Sequence, residues 1–276
     1  MRKLCLLGLI LGLVAVPGLV MAAPMGLTGK QLKQGQFAMG LTGGYVFEHQ
    51  FAVTDLVSNY KSGGQDTGRI KSKFKDDQRY MLQFAYGVSD RAALYVAAGT
   101  ATNGAWAMHN LDSNQRWNAR LKNSFVWAVG GQTQIWKLPN GIGLDLVAQY
   151  LRFDDRKLKD WTNDTIGWQA GEAWAVQDKI DFYWQAEVLA RMAWTLGMFT
   201  PYVGAGWSHA EAKFTGSWTG VKGNPDSVDY NAQLVSDDEL LTTAGVEVAL
   251  RQNLSLTLEG RFLAETEAGL GLNWQF

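Results

Sequence analysis

Three histidines, the adjacent aspartates Asp76-Asp77 and Asp154-Asp155, and one cysteine are the residues of this chain best suited to chemistry. His49, His109 and His209 stand too far apart for metal-ligand spacing, and no cysteine accompanies them. Cys5 is the only thiol, and it falls within the first few residues, so no metal site and no cofactor is expected. His209, Glu211 and Lys213 alternate, which puts them on one face of a strand. A histidine steadied by carboxylates can activate water as a general base. Asp76-Asp77 and Asp154-Asp155 are further carboxylate pairs near expected outer rims. Ser208 adjoins His209 and therefore points to the opposite face, away from any pairing with it. The reading assigns no catalytic residue; a rim hydrolase is the third-ranked function.

The elements that must hold these residues are strands. Ala268, Leu270, Leu272, Trp274 and Phe276 share one face of the final segment, and Gly269, Gly271, Asn273 and Gln275 share the other. Leu254, Leu256, Leu258 and Phe262 likewise oppose Ser255, Thr257, Glu259 and Arg261. Tyr80 to Val88 and Ile180 to Trp194 repeat the pattern. A helix would scatter these sets around its circumference, whereas a strand separates them. Short connections at Ser89-Asp90-Arg91, Pro139-Asn140-Gly141, Leu196-Gly197 and Arg251-Gln252-Asn253 alternate with long polar stretches near 53–71, 103–119, 154–177 and 215–237. That alternation predicts an all-β, transmembrane, antiparallel up-and-down β-barrel. About ten strands are counted, with twelve as the alternative because 154–177 could hold another hairpin. An even number leaves both termini on the periplasmic side.

Composition agrees. Net charge is −1, which leaves no basic footprint for nucleic acid. Charged residues are 18% of the chain and aromatics 12%, including 12 Trp. Mean hydropathy is −0.13, a value open to a membrane protein that shows apolar side chains to lipid and polar ones to a lumen. With the apolar sets facing lipid, Arg79, Asp145, Asp181, Glu187, Arg191, Glu247, Glu259 and Arg261 are expected to line the lumen. Small lumen positions such as Gly40, Gly130, Gly204 and Gly269 leave space beside them. At the N-terminus, Arg2 and Lys3, the apolar run from Leu4 and the small residues to Ala22 form the anatomy of a signal peptide. The expected organisation is a signal peptide at 1–22 and an outer-membrane barrel domain at 23–276.

Leu270, Leu272, Trp274 and Phe276 together resemble the C-terminal insertion signal of bacterial outer-membrane barrel proteins. Tyr86-Gly87-Val88-Ser89-Asp90-Arg91 resembles the family's periplasmic hairpin, and Pro201-Tyr202-Val203-Gly204-Ala205-Gly206 a strand opening of small porin-like barrels. The resemblance implies that the barrel-assembly machinery reads the last strand, and that the partners are outer-membrane lipid and lipopolysaccharide. The omptin proteases place a rim Asp/His set with acids one residue apart; the acids here are adjacent, so none of their residues transfers. Outer-membrane lipid A deacylases use a His and a Ser two apart, which Ser208-His209 does not match. The expected function is a narrow porin-like channel, non-enzymatic, for small solutes or ions. The alternative is a closed structural or surface-binding barrel acting through its outer loops. Neither the solute nor the oligomeric state can be read from the residues.

Overall fold

The computed structural model describes residues 32–61, 69–165, 168–169, 174–220 and 226–276. The expected signal peptide lies outside them. Thirteen strand segments follow one another: β1 (Phe37–Tyr60), β2 (Ile70–Ser89), β3 (Ala92–Asn110), β4 (Gln115–Leu121), β5 (Ser124–Lys137), β6 (Ile142–Asn163), β7 (Trp168–Gln169), β8 (Trp174–Trp194), β9 (Phe199–Gly220), β10 (Ser227–Ser236), β11 (Leu240–Arg251), β12 (Leu254–Leu263) and β13 (Glu265–Gln275). All pairings are antiparallel. Twelve segments close into a ring, and β7 adds only a two-residue pairing to β6.

Four of the twelve segments are collinear halves of two long strands. β4 and β5 run down β3 one after the other, and β10 and β11 do the same along β9. The ring therefore changes its count with height. Near the end that carries Phe37 and Phe276, here called the base, ten strands surround the interior. The β12–β13 hairpin stops at Leu263–Glu265, and above it β10 pairs directly with β1 from Phe51 to Tyr60. The opposite end, the crown, is thus an eight-stranded barrel. Closure at the step is tight: Asp237 N donates to Gln50 O at 3.0 Å, Ala264 N to Leu240 O at 2.9 Å and Ser208 N to Glu239 O at 2.8 Å.

Many of the irregularities cluster at this same step. Register breaks at Phe47 on β1, Asp76 on β2, Asn103-Gly104 on β3, Asp155 on β6 and Asp181 on β8, with Lys122-Asn123 interrupting β4 and β5. Asp76, Asn103 and Asp155 have φ of 58°, 56° and 50°; Asn and Asp tolerate that left-handed region better than other residues with a Cβ. An extra residue in a strand reverses which parity faces inward. In β2, Asp77, Arg79 and Met81 point in below the bulge, whereas Phe74 and Ser72 do so above it.

Long outer loops were expected near 53–71, 103–119, 154–177 and 215–237, and here the structure differs. Most of their described residues are strand, continuing past the step into the crown; β3 and β4 are joined by a turn of only four residues, 111–114. Alternation of lipid-facing apolar residues ends at the step, which is why these stretches read as loops.

Outside, the two levels contrast. Tyr80, Leu82, Phe84, Tyr86 and Val88 project outward from the base half of β2, as do Leu94 and Val96 on β3 and Val203 and Trp207 on β9. Nine residues of strand span on the order of 25–30 Å, the height of a bilayer's apolar band. Higher on β2 the outward positions are Lys71, Lys73 and Lys75, and on β6 they include Lys157 and Lys159. The crown wears the surface of a water-soluble barrel.

Candidate functional site

The base interior is a network of ion pairs. Arg261 on β12 is its hub. Its guanidinium lies 2.9 Å from Glu259, 3.2 Å from Glu267, 3.3 Å from Glu265 and 3.5 Å from Glu187. Tyr202 donates to Glu259 at 2.8 Å, and Gln185 donates to Glu187 at 3.0 Å. Tyr95 donates to Gln149 at 3.0 Å, whose amide reaches Glu187 at 3.4 Å. Nearer the base, Arg191 lies 3.6 Å from Asp145 and 5.1 Å from the Tyr202 ring centroid. At the step, Asp77 holds Arg156 at 2.7 Å and Arg79 at 3.1 Å. His49 stands 3.6 Å from Glu265. All four arginines are buried. A charge so placed is tolerated only with close partners, and removing one partner strands the others.

Space left by glycines is filled. Gly130 faces the Tyr95 ring and Gly245 faces the Tyr202 ring, so a Cβ at either position would collide with an aromatic side chain. Gly130 and Gly245 are therefore seats for tyrosines, and Gly40 faces the Asn273 side chain, so at Gly130 and Gly40 the expected room is occupied. The base also receives the segment before β1. Gly35 N donates to Gly87 O and Gly87 N to Gln36 O, both at 2.9 Å, and Leu32 is buried against Ala38, Ala85, Ala93 and Tyr95.

The crown interior is the reverse in kind. Phe51, Phe74, Trp106, Phe153, Tyr183 and Phe214 form a contiguous aromatic core, with Trp161, Ile180, Leu158 and Leu234 packed into the same cluster. Phe74 meets Trp106 edge-on at 4.4 Å, Phe153 stacks on Tyr183 at 4.7 Å, and Trp106 stacks on Phe214 at 5.5 Å. Edge-on and stacked pairs at these separations are favourable beyond the area they bury. Trp106 has no exposed surface at all. This layer lies across the barrel directly above the ion pairs; Tyr183 belongs to both, since its hydroxyl donates to Gln185 at 2.8 Å.

Above the core the barrel opens into a cavity of about 270 Å³. Trp117, Trp174, Trp218, Tyr230 and Phe214 provide most of its wall, with Leu56, Ile70 and Met108 opposite. Trp117 and Trp218 lie 5.3 Å apart, and Trp174 stands 6.4 Å from Trp218. The Trp218 indole N–H donates to Asp178 at 3.1 Å. Asp178 is 4% exposed. It sits on β8 above the apolar belt, and burial pushes its carboxyl up to about 6 against the lowering influence of Tyr230, Trp218 and Trp161.

Of the residues expected to line the lumen, Arg79, Glu187, Arg191, Glu247, Glu259 and Arg261 are buried inside, and Asp145 is half-buried beside Arg191. Asp181 is different. The bulge at Ile180–Phe182 turns it outward, where it pairs with Lys179 at 2.9 Å. Sequence reasoning missed Glu265, Glu267, His49, Asp77 and Arg156. Glu265 and Glu267 share the parity of Gly269 and Gly271, and Asp77 that of Arg79, so extending those faces could have found them; His49 and Arg156 depend on the bulges at Phe47 and Asp155. His209 lies on the outer wall, stacked on Trp207 at 5.7 Å and flanked by Glu239 at 2.6 Å and Glu211 at 3.4 Å. Ser208 is buried on the opposite face. Asp76 points outward to Tyr45 whereas Asp77 points inward, and the exposed Asp154 and Asp155 pair separately with Arg152 and Lys179, so neither of these pairs acts as a unit. Among the described residues no three His, Cys, Asp or Glu side chains come together as a metal site. Leu272, Trp274 and Phe276 project outward at the base, with Leu270 half-buried.

No protein-family model and no curated protein matches the sequence. Among solved structures the chain is similar to the outer membrane protease OmpT from Escherichia coli, with TM-score 0.56 and 11% identity over 90% of this chain and 99% of that one. It is similar also to the outer membrane protein OprG from Pseudomonas aeruginosa, with TM-score 0.48 and 12% identity over 90% and 98% of the two chains. The translocator domain of the autotransporter NalP from Neisseria meningitidis gives 0.46 and 10% over 89% and 90%. The chain thus shares its fold with a bacterial outer-membrane β-barrel, and its apolar belt suits a bilayer. Identities this low carry the architecture and no activity.

Proposed function

We propose that this protein is a closed, non-enzymatic outer-membrane barrel that works from its crown as an outward-facing binding protein. The observation that carries this reading is the aromatic layer of Phe51, Phe74, Trp106, Phe153, Tyr183 and Phe214 lying across the barrel between the ion pairs and the crown cavity. A solute crossing the barrel would have to displace fully buried rings. Below that layer the Arg261 network and Leu32 occupy the interior again. The crown cavity, in contrast, is concave, mostly apolar and furnished with a few polar groups, as small-molecule sites generally are.

In this reading the base faces the periplasm, both termini lie there, and residues 1–22 are the export signal. Phe276, Trp274, Leu272 and Leu270 serve the barrel-assembly machinery. The lysines and arginines just above the belt meet lipopolysaccharide phosphates. The narrow-channel reading retains one argument, the polar lining of the base, and it requires a path past Trp106 and Phe74.

Proteoliposomes loaded with a small sugar test the choice. Retention of the sugar at the level of protein-free vesicles is the expected result. Release proportional to the amount of folded barrel would overturn the closed reading.

A further inference from the structure

Glu187, Glu259, Glu265, Glu267 and Asp77 have arginines beside them. Asp178 does not. The groups facing it are Trp218 and Gly216 from β9, Tyr230 from β10 and Trp161 from β6, and of these only Tyr230 is titratable. Among the described residues Asp178 forms no ion pair, and no described side chain lining the cavity carries a charge. An acid in such a place is costly to ionise unless a cation arrives from outside. The cavity above it is walled by indole and phenol rings, whose faces are the electron-rich surfaces that attract cations. The hydrogen bond from the Trp218 N–H to Asp178 adds electron density to that ring and links the carboxylate's charge to the wall.

We infer that the crown cavity is a binding site for a small organic cation, a quaternary or alkylated ammonium, held against Trp117, Trp174 and Trp218 with Asp178 behind them as the counter-charge. An ammonium with methyl groups suits the site better than a metal ion: it needs no oxygen ligands, and its apolar surface matches the rings. A phosphate or carboxylate ligand is disfavoured, because the described residues of the lining offer no cation to meet it. The ligand is either a free amine or the ammonium of a phosphocholine headgroup. This inference rests on the crown being the working end of the barrel.

The test is a titration of the refolded full chain with choline and tetramethylammonium, against 3,3-dimethylbutan-1-ol, which replaces choline's nitrogen by carbon. Tryptophan fluorescence and calorimetry give the affinity. Choline is expected to bind at least about tenfold more tightly than its neutral isostere. Asp178→Asn should weaken choline by about tenfold and leave the isostere unchanged. Trp174→Leu, at the rim of the cavity, should also weaken choline and serves if Asp178→Asn fails to fold. Choline affinity should rise between pH 5 and 7 as Asp178 ionises, and be flat over that range in Asp178→Asn. Co-sedimentation with phosphatidylcholine vesicles, competed by choline, assigns a lipid headgroup; choline binding without sedimentation assigns a free amine. Equal binding of choline and the isostere, or no binding of choline by the folded protein at pH 7, would overturn the inference. Tight proteoliposomes without choline binding remove this inference alone. Leaky proteoliposomes that still bind choline remove the closed-barrel reading alone.

Discussion

The base and the crown of this barrel are continuous in backbone and opposite in chemistry. In the base, apolar side chains face outward and arginine and glutamate face each other inside; in the crown, lysines face outward and phenyl and indole rings fill the interior. The difference follows from solvent. A wall against lipid must be apolar, so charge can be held only within; a wall against water can carry the charge, so the interior can be a hydrophobic core. One strand serves both rules because a bulge at Phe47, Asp76, Asp155 or Asp181 resets its inward parity at the boundary. Two consequences follow: the interior is filled at both levels, and the two fillings are held by different forces.

The largest expected effects separate those forces. Arg261→Met removes the cation shared by Glu187, Glu259, Glu265 and Glu267, and should destabilise the refolded barrel by about 3–5 kcal/mol in denaturant titrations. Adding Glu265→Gln and Glu267→Gln to that variant should restore part of the loss, since fewer buried charges then lack a partner. Phe74→Ala in the crown should cost a similar amount, about 3–5 kcal/mol. No charge change should rescue it, because the loss there is ring contact and a cavity. If the same carboxamide substitutions rescued both variants, the two interiors would not be distinct.

A smaller effect locates the boundary. Phe84 projects from the middle of the belt, and Phe84→Arg should cost about 2–4 kcal/mol in a bilayer. Asn231 is outward on the crown, and Asn231→Arg should change stability by no more than about 0.5 kcal/mol. Equal costs would mean that the crown, too, is immersed in lipid. Small as well is the effect expected at the exposed pair between Lys73 and Glu48, 2.9 Å apart on the crown wall. Lys73→Ala should cost about 1 kcal/mol or less, and high salt should abolish the difference.

How much of this was legible in the sequence divides along the same boundary. In the base, period-two alternation from Tyr80 to Val88 and from Leu254 to Phe262 carries the facing of each residue directly, and Arg79, Glu187, Glu259 and Arg261 could be placed inside before any coordinates. The same parity carried through β8 misplaces Asp181, because one bulge intervenes. Alternation is a local signal, and a bulge leaves little trace in composition beyond an Asp or Asn that accepts a positive φ. In sequence the crown reads as loops for a related reason. Its outward residues are polar and its inward rings look, in sequence alone, like scattered aromatics in a polar stretch. The step from ten strands to eight depends on β10 crossing above the β12–β13 hairpin to meet β1, a pairing across about 180 residues that no periodicity encodes. The Asp178 cavity needs all three of these features, so it was out of reach.

In the closed barrel proposed above, two unlike interiors seal one wall of strands. Planar-bilayer recording of the refolded protein, compared with a variant in which Trp106 and Phe74 are both alanine, tests it most directly. The expected record is silence from the native barrel across voltages, with current steps only after the crown layer is removed. Steady ohmic steps from the native barrel, unchanged by the double substitution, would contradict it.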